Sequence, residues 1–126
     1  MATTTDFWGA LEANELIQRT PLSILREQAT LLGQKTGNLV EAQVERRTVA
    51  GDFVLVLKLV VPGLDDYTYE LLKIRHPISL YPVNDISKYP SVDLKDENAF
   101  VVWLRAKLSS PETHRIISNL LSQASS

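Results

Sequence analysis

The sequence predicts an α+β fold: an antiparallel sheet of four to five strands, with N-terminal helices and a C-terminal helix packed on one face. Three observations carry this. Apolar residues recur at three- and four-residue steps near the start of the chain and again at its end. Between them the period shifts to two. The first strands are joined by turns too short for a parallel crossover, so they must run antiparallel.

The first segment, from Phe7 to about Gln18, reads as a short helix capped by Asp6. Gly9 weakens its start, and Phe7, Leu11 and Leu16 make no clean stripe. The next helix is better specified. Thr20 is suited to the N-cap and Pro21 to the first position, where its missing N–H costs nothing. Leu22, Leu25, Ala29 and Leu32 form an apolar face, Lys35 suits the negative helix end, and Gly37 can take the left-handed stop.

From Leu39 to Val49 the residues alternate. Val40, Ala42 and Val44 point one way, with Glu41, Gln43 and Glu45 the other. Ala50 to Asp52 is a tight turn. Phe53 to Val61 is apolar on both sides except at Lys58, as expected of a central strand. Pro62 and Gly63 end it. Tyr67 to His76 is a third strand. Tyr67, Tyr69, Leu71, Lys73 and Arg75 share one face, and Thr68, Glu70, Leu72, Ile74 and His76 the other. Pro77 interrupts the strand, and residues 78–83 read as an edge-like continuation or a fourth strand. Residues 84–98 read as a loop. Residues 99–108 alternate as a last strand, with Phe100, Val102 and Leu104 on one face and Val101, Trp103, Arg105 and Lys107 on the other. Ser110 and Pro111 then open a final helix with a stripe of Ile116, Ile117, Leu120 and Leu121.

All 126 residues fit one domain, in which residues 1–19 can serve as a cover or an arm. The balance of 15 acidic and 13 basic residues speaks against a nucleic-acid binder. Without cysteine there is no disulfide, thiol nucleophile or thiolate metal site, which fits a cytoplasmic protein. The longest apolar run, Phe53 to Val61, is far short of the roughly 20 residues a membrane helix needs.

Chemistry-bearing motifs are sparse. His76 and His114 are the only histidines and have no ligand-spaced partners, so neither metal nor cofactor is expected. No nucleophile elbow or phosphate loop is present, and no catalytic residue is assigned. The unusual feature is the second sheet face. Val54, Val56 and Val60 would lie beside Val101 and Trp103, rimmed by Lys58, Arg105 and Lys107. An apolar patch of that kind calls for a cover, a partner or a second copy. The expected function is therefore that of a non-catalytic interaction protein, self-associating or binding a protein partner through Val54, Val56, Lys58, Val101, Trp103 and Arg105. The alternative is a small-molecule binder or enzyme with a pocket between curved sheet and helix, its polar groups drawn from Tyr69, Arg75, His76 and Tyr81.

Overall fold

The computed structural model describes residues 5–126. In chain order the elements are α1 (Ala13–Leu16), α2 (Pro21–Lys35), β1 (Glu41–Val49), β2 (Asp52–Val61), a 3₁₀ turn (Pro62–Leu64), β3 (Tyr67–His76), β4 (Val83–Asp85), β5 (Val92–Leu94), α3 (Glu97–Leu108) and α4 (Pro111–Ala124). The sheet is an antiparallel meander in the order β1-β2-β3-β4-β5. The α+β architecture follows the sequence reading.

Helix α2 starts as its residues dictate. The backbone N–H of Ser23 donates to Thr20 Oγ1 at 3.1 Å, and that of Thr20 donates to Ser23 Oγ at 2.8 Å. Two end groups are thereby satisfied reciprocally. The helix stops at Gly37, whose φ of 60° is in the left-handed region. The β1–β2 turn has positive φ at both central residues, Ala50 at 50° and Gly51 at 84°. That is the twist-matched geometry of a two-residue hairpin.

The N-terminal helix is shorter than expected. Only the single turn Ala13–Leu16 is helical, with no side-chain cap at Glu12. Gly9 adopts φ 75°, and residues 5–19 are exposed throughout. A helix this short has no packed face to offset its nucleation cost.

Residues 99–108 are helix, not strand, and this corrects the sequence reading. Asp96 caps α3, accepting from the Ala99 N–H at 2.8 Å, with Glu97 in the first turn and Arg105 and Lys107 in the last. Phe100, Leu104 and Leu108 are spaced by four, a step common to one strand face and one helix face. The residue that separates the two readings is Val102. A strand would bury it beside Phe100, whereas it is 58% exposed. The expected loop after Asn84 also holds structure, since β4 and β5 pair through Val83–Leu94 and Asp85–Val92.

β3 carries a second correction. Leu57 pairs with Leu72, but Lys58 pairs with Glu70, so Leu71 is an extra residue. This bulge reverses the alternation. Tyr69 and Leu71 face the helices before it, and Leu72, Ile74 and His76 do so after it, while Lys73 and Arg75 turn outward. The core lies between this inner sheet face and the helices, around Leu25, Leu55, Leu59, Ile74 and Phe100.

Candidate ligand-binding groove

The outer face of the sheet holds no open apolar patch. Val54 and Val56 are only 4% and 2% exposed. Their cross-strand neighbours are Arg47 and Glu45 on β1, and Arg75 and Lys73 on β3. Long charged side chains in such positions can cover apolar neighbours with their aliphatic stems while their heads stay in water. Lys58 pairs with Glu45 at 2.5 Å, and this bond with the lysine charge holds the Glu45 carboxyl below the usual range. Arg75 Nε donates to Asp52 at 2.8 Å and its Nη2 to the Val49 carbonyl at 3.3 Å, tying β3 to the end of the β1–β2 hairpin.

Val101, Trp103 and Arg105 lie on α3, across the sheet from Val54, Val56 and Lys58. The six residues expected to share one surface are therefore split between two. The split follows from the strand-to-helix correction.

The four residues of the alternative site are likewise dispersed. His76 is buried against Phe53, the rings stacked 5.4 Å apart, with Nδ1 2.8 Å from the Pro77 carbonyl oxygen. Tyr69 packs against the core further along the same strand. The bulge sends Arg75 to the opposite face. Tyr81 packs against the core, and its buried hydroxyl has no hydrogen-bond partner among the described residues. Burial, reinforced by nearby Glu97, pushes this phenol above its usual range. The stretch from Tyr69 to Pro90 is thus mainly a corner of the sheet. Asp85 anchors it, accepting from the Ser87 N–H at 3.0 Å and from the Ser87 hydroxyl.

A concave site does exist between α2 on one side and the α3–α4 pair on the other. It is a groove of about 440 Å³. Its floor is the inner sheet face, with Leu57, Leu59 and Leu71. Ile24, Ala29 and Leu32 form the α2 wall; Val101, Leu104, Leu108 and Ile117 form the other. The bulge matters here, because it keeps Leu71 on the floor beside Leu72 while Lys73 and Arg75, which simple alternation would place with Leu71, turn to the other face. Thr113 braces the α3–α4 wall. Its hydroxyl donates to the Lys107 carbonyl at 2.8 Å, and Ser110 caps α4 through the Thr113 N–H at 3.2 Å.

The rim is cationic. Arg19, Lys35, Arg105 and His114 line it, and no Asp or Glu does. Arg19 is paired with Glu27 at 2.9 Å and approaches Glu97 at 3.9 Å. Lys35 and Arg105 are exposed and make no ion pair among the described residues. Of the sequence-predicted residues, Val101 and Arg105 reach the groove, one helical turn apart; Trp103 instead stacks on Phe100 at 6.1 Å. Lys35 is legible in the sequence only as a partner for the helix dipole. Its convergence with Arg105 needs the tertiary fold.

Among the described residues, no three His, Cys, Asp or Glu side chains cluster to hold a metal, and no helix is long and apolar enough to cross a membrane. Comparison with family models, characterised proteins and solved structures finds no match to this chain.

Proposed function

We propose that this chain is a non-catalytic interaction protein whose binding surface is the groove between α2 and α3–α4. Its ligand is a protein segment carrying large apolar side chains and carboxylates. The carrying observation is an apolar cleft of about 440 Å³ whose rim holds Arg19, Lys35, Arg105 and His114 and no acidic residue. Apolar walls supply affinity and the charged rim supplies orientation. The reading retains self-association or a protein partner, and moves the surface from the outer sheet face to the helical side. The cysteine-free composition supports a cytoplasmic setting.

A second reading is favoured by the size of the cleft, which lies within the range of about 300–1,000 Å³ typical of small-ligand sites. A small amphipathic carboxylate would satisfy the same walls and rim.

The test uses 1-anilinonaphthalene-8-sulfonate, an apolar anion, with its fluorescence followed at low protein concentration. Saturable binding is expected. Lys35→Glu with Arg105→Glu should weaken it about 5- to 30-fold, taking each exposed charge as worth roughly 0.5–1 kcal/mol. Ala29→Trp should fill the groove and abolish it, with circular dichroism showing the fold retained. Unchanged dye affinity in both folded variants would remove the groove as the binding surface. Displacement of the dye by laurate but not by an acidic apolar peptide would favour the second reading.

A further inference from the structure

The described part of the chain before α2 is an exposed arm. Phe7 is 92% exposed and Trp8 80%, and Leu11, Leu16 and Ile17 are exposed as well. Five large apolar side chains lie on fifteen exposed residues, 5–19, uncovered by any of the described residues. The arm is also acidic. It carries Asp6, Glu12 and Glu15, and no Lys or Arg occurs in the sequence before Arg19. The groove is its complement: apolar inside, with Lys35 and Arg105 on the rim making no ion pair among the described residues.

We infer that the arm of one copy docks in the groove of a second copy, so that two chains exchange arms. This rests on the groove reading above and names the segment the groove takes. Phe7 and Trp8 are the anchors, since paired aromatic side chains entering a cleft dominate such contacts. Asp6, Glu12 and Glu15 meet the cationic rim.

The single chain favours a second copy over its own groove. Among the described residues none before Arg19 lines that groove, and the arm beside it is exposed instead of seated there. The resulting contact is reciprocal, each copy giving an arm and receiving one, which closes at a dimer.

The experiment is charge exchange read by sedimentation velocity on the full chain. One variant carries Glu12→Lys and Glu15→Lys on the arm; the other carries Lys35→Glu and Arg105→Glu on the groove. Wild type should dimerise with rising concentration. Each variant alone should dimerise at least about tenfold more weakly, and an equimolar mixture should recover the dimer. Trp103→Phe leaves Trp8 as the only tryptophan. Its emission should shift to the blue as the dimer forms, and the shift should disappear with Phe7→Ala.

A wild-type chain that stays monomeric at every concentration overturns the exchange. If Trp8 emission is already blue in that monomer, the arm docks on its own chain, which overturns it too. A dimer that survives both variants, without recovery specific to the mixture, is held by another surface and also overturns it. Dye binding distinguishes the two levels. If the groove variant loses the dye while wild type remains a monomer, the exchange fails and the groove stands. If dye affinity is untouched, the groove reading itself fails.

Discussion

Thr113 gives the most direct check on how the groove wall is built. It is 2% exposed, on the inner side of α4. Its hydroxyl donates to the Lys107 carbonyl at 2.8 Å, at the end of α3. The same carbonyl accepts from Ser110 Oγ at 2.9 Å. Thr113→Val keeps the shape and removes the bond to Lys107; it also removes the 3.1 Å contact with the Ser110 hydroxyl, whose single proton still has the Lys107 carbonyl as acceptor. The carbonyl retains its Ser110 donor, so the penalty of a fully orphaned buried acceptor does not apply. The expected loss is that of one net bond, about 0.5–1.5 kcal/mol. For a chain of this length it lowers the midpoint of thermal unfolding by about 3–6 °C per kcal/mol. Ser110→Ala should cost about 1 kcal/mol through the lost cap. The double variant should depart from the sum of the two singles, because the two side chains share the Lys107 carbonyl and the 3.1 Å contact between their hydroxyls. Urea unfolding followed by circular dichroism measures all three. Additive losses, or a Thr113→Val cost below about 0.3 kcal/mol, would show that this network does not join the two helices.

The other expectations concern single sites. Ala50→Asn should stabilise the chain by about 0.5–1 kcal/mol in urea unfolding, since Ala50 sits at φ 50° before Gly51 and Asn tolerates that conformation better. Tyr81→Phe should leave stability unchanged or raise it by up to about 1 kcal/mol, because the buried hydroxyl has no partner to lose; a loss beyond about 1 kcal/mol would reveal a partner for it. His76→Ala should cost about 1–3 kcal/mol through the lost stack on Phe53, yet leave dye affinity at the wild-type value, since His76 does not line the groove. Glu45 has a depressed carboxyl pKa through its bond and charge contact with Lys58. Its contribution is present above the carboxyl's unfolded value and fades as pH falls through the folded one. The stability difference between wild type and Lys58→Met should therefore narrow on acidification.

Elements that local chemistry specifies can be read directly from the residues. α2 was legible from Thr20, Pro21 and Gly37, because capping and left-handed stops act within one turn of chain. β1 and β2 were legible from their alternation, with the hairpin between them marked by Gly51. α4 was legible from Ser110 and Pro111. The face of Arg75 was not, because a single unpaired residue, Leu71, inverts a period-two pattern without altering composition. Nor was α3, since Phe100, Leu104 and Leu108 satisfy a strand face and a helix face equally. Only burial against the sheet separates those two. The groove belongs wholly to the tertiary structure. Its floor, walls and rim come from segments as distant as Ala29, Leu71 and Ile117, and a cleft is the space left between packed elements, which no single element encodes.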